Sequence, residues 1–332
     1  MSIDKKNIVL IWDYDGTMTE HTCQTPMLSA NMKSLQQKYG IINPDDYWES
    51  IDLHRSSGNQ EVEYLQKILL DIKTKVLTRD GNSITEKDLQ YFGSLVQMAP
   101  GIFEFLKEIK DKWSDKVNIC IYVISIGMQN LILGSGIAEY VDDIYASKFT
   151  HRDYDDPKLD DTDLPINWIK KIVTSFGKTA PLIEIAKGKP ASLNVKLSAK
   201  DYRFQYRDMI VIGDGYSDLS VFSYVRKKGG HVIGVYEKGN KDAFETSHQK
   251  IGYSIDYLLE RDYTPNRTTA REIHKMIGEI VENKRCDFSP ELLHMYRKGA
   301  IRDQETMEYV DIHIRECPYC SDIVTTSMML PK

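Results

Sequence analysis

The stretch "IVLIWDYDGTMTE", residues 8–20, decides the fold. Val9, Leu10, Ile11 and Trp12 form a continuous apolar run of the kind that becomes a strand buried on both faces. It stops abruptly at Asp13 and Asp15, followed by Gly16, Thr17 and Thr19. Two carboxylates one residue apart at the mouth of a hydrophobic strand repel each other. A hard divalent cation, which takes oxygen ligands, removes that conflict.

Working outward, the same apolar-run pattern recurs. "VNICIYVIS" (117–125), "DDIYASKF" (142–149), "DMIVIGDG" (208–215) and "HVIGVYEKG" (231–239) read as strands. Between them lie segments with apolar residues at helical spacing: "EYLQKILLDIKTKVL", "EKDLQYFGSLVQM", "APGIFEFLKEIKDKW" and "MQNLILGSGIAEYV". Strands alternating with helices predict an α/β fold, a Rossmann-like parallel sheet with helices on both faces. In such a sheet chemistry sits beyond the carboxyl ends of the strands. Asp13 ends the first predicted strand and Ser125 the second, and Asp214 and Asp218 follow the fourth in "IGDGYSD".

The motifs "DYDGTMT", Ser125, a lysine before a helix in "FGKTAPLIEIAKG", and "GDGYSD" occur in that order. Together they resemble the four motifs of the haloacid dehalogenase-like (HAD) phosphatases, the phosphoserine-phosphatase-like branch most closely, over about residues 7–265. The resemblance implies the HAD fold and a phosphatase acting through an aspartyl-phosphate. It casts Asp13 as nucleophile and Asp15 as general acid, then base. Asp13, the Asp15 backbone carbonyl and Asp214 would hold Mg²⁺, with Asp218 supporting the metal shell. Ser125 and Lys178 would bind the phosphoryl group, Lys187 and Lys189 being rivals for the lysine. Lys178 is favoured because 179–181 reads as a helix start. Gly16 allows a tight turn, which Thr17 and Thr19 hold, and Ile126 stands where relatives often have glycine. The dehalogenases that name the superfamily lack the second aspartate and use no metal, so Asp15 points to phosphate chemistry.

The resemblance also implies a helical cap over 20–99, inserted in a core of 1–19 and 100–265. His21, His54 and Arg55 are cap candidates for facing a leaving group. "TTAREIHKMIGEIVENK" (268–284) reads as an amphipathic linking helix within 266–284. Thr269 and Glu272 make a capping box there, and Ile273, Met276, Ile277, Ile280 and Val281 its apolar stripe.

The last segment, 285–332, has a different character. His313, Cys317 and Cys320 are spaced H-x3-C-x2-C, offsets that share one helix face. With Cys286, or His294 in its place, they make up the ligand set of a tetrahedral zinc site. "SPELLHMYRKGAI" and "EYVDIHIRECPYC" are similar to the zinc-binding anti-sigma-factor domains, which implies a small α-helical module for a protein partner or a homodimer. Such a unit buries little core, so metal binding would supply folding energy. The remaining cysteines, Cys23 and Cys120, read as cap and core residues.

Composition bounds the rest. The 332 residues carry a formal net charge of −6 and five cysteines. That argues against a disulfide scaffold and against global attraction to nucleic acid or anionic membrane. With no long apolar run and no signal-peptide pattern, a cytoplasmic protein without membrane contact is expected. "THRDYDDPKLDDTDLP" (150–165) and the basic stretch 186–207 read as solvated surface, the latter leaving a nucleotide or nucleic-acid end among the ligands. The sequence therefore predicts a Mg²⁺-dependent phosphomonoester hydrolase with a zinc-binding tail. The alternative is a regulatory protein whose tail docks a partner while the α/β fold senses a phosphorylated ligand.

Overall fold

The computed structural model describes residues 5–52, 60–153, 155, 162–188, 193–198, 201–282, 290–317, 320, 321 and 324. Seven strands form one sheet in the order β4-β3-β2-β1-β5-β6-β7. They are β1 (Lys6–Trp12), β2 (Val117–Met128), β3 (Asp143–Thr150), β4 (Trp168–Lys171), β5 (Met209–Gly213), β6 (His231–Tyr236) and β7 (Tyr257–Glu260). The helices are α1 (Thr25–Ala30), α2 (Met32–Tyr39), α3 (Asp46–Asp52), α4 (Gln60–Lys73), α5 (Glu86–Ser94), α6 (Ile102–Trp113), α7 (Gln129–Gly134), α8 (Thr179–Lys187), α9 (Leu219–Arg226), α10 (Lys241–Ile251), α11 (Thr268–Val281), α12 (Pro290–Arg297) and α13 (Gln304–Glu316). The pairings β1–β5, β5–β6, β6–β7 and β2–β3 are parallel, and the edge strand β4 pairs antiparallel to β3.

By compactness the chain falls into two units. The first is Met1–Trp12, Pro100–Ile121 and Lys178–Lys332. Its core is the apolar run of β1, with Ile8 to Trp12 buried. The Trp12 ring meets Tyr263 and Phe105 edge-on at 5.2 and 6.2 Å. Each such side chain taken fully out of water contributes about 1.5–3 kcal/mol. Ile273, Met276, Ile277 and Ile280 of α11 are buried as a stripe, as their spacing predicts. The capping box does not form, however. The helix begins at Thr268, and the Thr269 hydroxyl donates to the Glu260 carbonyl instead.

In the same unit α13 is tied to the α/β part by a buried lysine. Lys228, 4% exposed, lies 3.6 Å from Glu305 of α13. Its ammonium faces the rings of Tyr309, Tyr224 and Tyr206 at 4.9, 5.1 and 5.5 Å. The Tyr202 hydroxyl donates to the same Glu305 carboxylate at 2.7 Å.

The second unit is Asp13–Ala99 and Tyr122–Gly177. It holds α1 to α5, the carboxyl-terminal part of β2, and β3 and β4. Asp71 of α4 is its polar hub, accepting from Tyr39, Tyr47, Lys67 and Lys38. β4 and β7 were not expected from the sequence, since both are four residues long and β4 reads "WIKK". β2 runs three residues past Ser125, to Met128.

Candidate functional site

β1 and β5 pair in parallel with Trp12 opposite Ile212. The residues that follow, Asp13 and Asp214, are therefore delivered to the same carboxyl end of the sheet. Asp13 is buried and one peptide bond from β1, so the strand fixes its position. Asp13, Asp214 and Asp218 each bring a carboxylate oxygen to within 4.8 Å of the others. Two like charges at that spacing repel by on the order of 3 kcal/mol at an effective dielectric near 20. The oxygen donor set fits a hard divalent cation such as Mg²⁺.

Lys178 precedes α8, with Pro181 in the first turn of the helix. Its ammonium donates to Asp218 at 2.7 Å and to Ser217 at 3.4 Å. The residue is only 1% exposed, so this is a buried ion pair, and each partner neutralises a charge the other would leave stranded. Lys187 instead spends its ammonium on the carbonyls of Leu193 and Val195. Lys189 lies outside the described residues.

Asp15 sits in a turn built by its neighbours. The Thr19 hydroxyl donates to the His21 carbonyl at 2.6 Å, lies 3.2 Å from the Tyr14 carbonyl, and accepts from the Gly16 amide at 3.2 Å. Gly16 has φ +73°, the left-handed region that glycine enters freely. One oxygen of Asp15 accepts the Cys23 amide at 2.6 Å, and the other lies 3.6 Å from the Cys23 sulfur. Burial, then the charge of Asp15, pushes the Cys23 thiol well above its ordinary range. His21 is exposed; His54 and Arg55 lie outside the described residues.

Ser125 is buried inside β2 at an irregularity. The β2–β3 ladder is regular to Ile124 opposite Tyr145 and resumes at Met128 opposite Ser147. Residues 125–127 thus form a bulge, a device that re-aims side chains. The Ser125 hydroxyl accepts the Gly127 amide at 2.9 Å. A Cβ on Gly127 would stand 2.7 Å from an Asp15 oxygen and 3.1 Å from the Ser125 hydroxyl. The position that must be small is therefore 127, not 126. The signal was present as the glycine of "SIGM", but only the bulge shows its use.

The second cluster lies at the end of α13. Asp303 caps that helix, accepting the Thr306 amide at 2.9 Å. His313 is in the last turn, and Cys317 closes the helix in extended backbone. The three therefore do not share one continuous helix face. The chain turns at Cys317, and His313, Cys317 and Cys320 still bring their ligand atoms within 4.8 Å of one another. Imidazole with two sulfurs is a donor set suited to Zn²⁺. Leu293, Ile301, Val310 and Cys320 form the small core beneath it. His294 is exposed on α12 and is not part of the cluster; Cys286 lies outside the described residues.

No protein-family model matches the chain. It is 25% identical over 285 residues, covering 79% of this chain and 93% of the relative, to an uncharacterized protein of Borreliella burgdorferi. Among solved structures it is similar to a substrate-bound phosphoserine phosphatase complex, at 16% identity and TM-score 0.48, over 82% of this chain and all of that one. A phosphoserine phosphohydrolase-like protein from Francisella tularensis aligns at 17% identity and TM-score 0.40, over 76% and 94%. Among the described residues no helix is long and apolar enough to cross a membrane.

Proposed function

We propose that the chain hydrolyses phosphomonoesters with Asp13 as nucleophile. The observation that carries this is the gathering of Asp13, Asp214 and Asp218 at the carboxyl end of adjacent parallel strands. Asp13, Asp214 and the Asp15 carbonyl would hold Mg²⁺, with Asp218 supporting them; when bound, the ion neutralises charge on phosphate and carboxylates. Asp13 attacks phosphorus, and the leaving alcohol oxygen takes a proton from Asp15. Asp15 then takes a proton from water, whose oxygen attacks the aspartyl-phosphate. Inorganic phosphate leaves and Asp13 is restored. Ser125 and the amides of its bulge donate to phosphoryl oxygens, and Lys178 offsets their charge. The helices of 20–99 act as a cap that excludes water.

The test is phosphate release from a panel of phosphomonoesters with Mg²⁺ or EDTA, for wild type and Asp13→Asn. Mg²⁺-dependent turnover that vanishes in the variant supports the proposal. A well-folded wild type inert to every ester overturns it and favours the regulatory reading. That reading has its own supporting observation, the imidazole–thiol cluster, which we assign to structural Zn²⁺. A stable protein partner or homodimer lost in Cys317→Ser would then be expected.

A further inference from the structure

One residue holds the Asp15 carboxylate by both of its oxygens. Oδ1 accepts the Cys23 amide at 2.6 Å, and the Cys23 sulfur lies 3.6 Å from Oδ2. Cys23 is fully buried, so its thiol meets that oxygen away from bulk water. Gly127, in the bulge of β2, borders the same place. A Cβ there would stand 2.7 Å from Oδ2 of Asp15, 3.0 Å from the Cys23 sulfur and 3.1 Å from the Ser125 hydroxyl. The three atoms therefore surround one point, and the bare Cα of Gly127 is what lets them meet. The Ser125 hydroxyl is itself fixed by the Gly127 amide, which it accepts at 2.9 Å.

This arrangement makes the two oxygens of Asp15 unequal. Oδ1 is taken by a short hydrogen bond from a backbone amide, a donor that cannot turn away. Oδ2 is the oxygen on the side of Gly127 and Ser125. Its neighbour is a thiol, which both donates and accepts, and does each weakly. A thiol therefore orients Oδ2 while leaving it able to hand over a proton or take one back. A buried ammonium in the same place would hold Oδ2 as a carboxylate oxygen instead.

We propose that Cys23 is a positioning residue for the general acid: its amide and its thiol together aim Oδ2 of Asp15 at the leaving oxygen of the substrate. This deepens the hydrolase reading and rests on it. In the first step a bond forms between an Asp13 oxygen and phosphorus while the bond from phosphorus to the leaving oxygen breaks. The leaving oxygen keeps that electron pair and takes the proton from Oδ2. The products are the aspartyl-phosphate, a neutral alcohol and the Asp15 carboxylate. Aim matters most where the leaving oxygen is strongly basic, since such an oxygen departs only as it is protonated. Misplacing a reacting group by about 1 Å can cost about a hundredfold in rate.

The experiment measures kcat/KM with Mg²⁺ for p-nitrophenyl phosphate, phenyl phosphate and p-methylphenyl phosphate, whose leaving oxygens differ in basicity while the esters differ little in size. Wild type, Cys23→Ala, Cys23→Ser and Asp15→Asn are compared, and each is melted. Asp15→Asn should lose most on the esters with basic leaving groups. Cys23→Ala should lose about fivefold on those esters relative to p-nitrophenyl phosphate, the worth of one hydrogen bond, and Cys23→Ser, which restores a donor, should recover it. A loss equal for every ester, or no loss, overturns the proposal, since a side chain that serves only the fold does not sort esters by leaving group. Failure of Cys23→Ser to recover the ratio overturns it as well. A ratio unmoved by Asp15→Asn removes Asp15 as the acid, and the proposal with it, while hydrolysis through Asp13 stands. Inertness of the wild type to every ester, p-nitrophenyl phosphate included, brings down the hydrolase reading itself. If Cys23→Ala does not fold, Cys23→Val, which fills the place of the thiol without a donor, carries the comparison.

Discussion

The carboxylate cluster and the imidazole–thiol cluster each gather three ligand residues, and they are assembled in opposite ways. Asp13 and Asp214 come from distant parts of the sequence and meet because β1 and β5 pair in parallel. His313, Cys317 and Cys320 are neighbours in sequence and rest on a core of a few side chains. The first cluster is a consequence of a large fold. The second sits on a small local core of Leu293, Ile301, Val310 and Cys320, where a bound metal would add folding energy. The donor atoms differ in hardness: oxygens that suit a hard divalent cation in the first cluster, sulfur and nitrogen that suit zinc in the second.

The largest effect that would break this contrast is on turnover. Asp13→Asn should reduce phosphate release by about a thousandfold or more while the melting curve stays near that of the wild type, because it removes the nucleophile from an intact sheet. Unfolding of that variant would mean that the carboxylate cluster, too, holds the fold. Next in size, Lys178→Met should destabilise the α/β unit by about 3–5 kcal/mol in a urea titration, since it strands the buried Asp218 charge.

Cys320→Ser should abolish zinc binding and release the amides of 304–316 to fast hydrogen exchange, leaving those of β1 and β5 protected. Equal protection in α13 with and without zinc would remove the distinction between the two clusters. The smallest effect sharpens it. Asp303→Ala should cost α13 about 1 kcal/mol, the usual value of a helix N-cap. The hydrogen bond from Thr306 is the main cause holding the Asp303 carboxyl below its ordinary range. Its folded pKa is therefore lower than its unfolded one. Its contribution is complete above the ordinary carboxylate range and fades as pH falls through the lowered folded value. Hydrogen exchange of α13 followed downward from pH 5 would show that loss in the wild type and not in Asp303→Ala.

What was legible in the sequence follows the same division. The strands of the sheet interior announce themselves as apolar runs, and the acidic residues at their ends stand out against those runs. β4 and β7 lie at the edges, are short, and carry no such run. Ser125 was legible as a residue near a strand end, but the bulge that aims it was not, because register is a property of two strands. Lys178 could be favoured over Lys187 and Lys189 from the helix start beside it; its burial against Asp218, while Lys187 binds the carbonyls of Leu193 and Val195, could not be read from the sequence. The bend at Cys317 was not legible, since the spacing of the ligands fits a continuous helix equally well.

The lysine enclosed by tyrosines has a consequence for how this chain could have arisen. Burial is the main reason that Lys228 holds its proton less tightly than usual, and its countercharge comes from Glu305, on the far side of the change in sequence character near residue 285. A tail appended by a single fusion would meet a surface not made for it. Here the surface carries a lysine and tyrosines that are at home only when α13 covers them. Ancestors without the tail would need a different residue at 228 and more polar ones at 206 and 224. Reconstructing those positions would date the joining of the two parts.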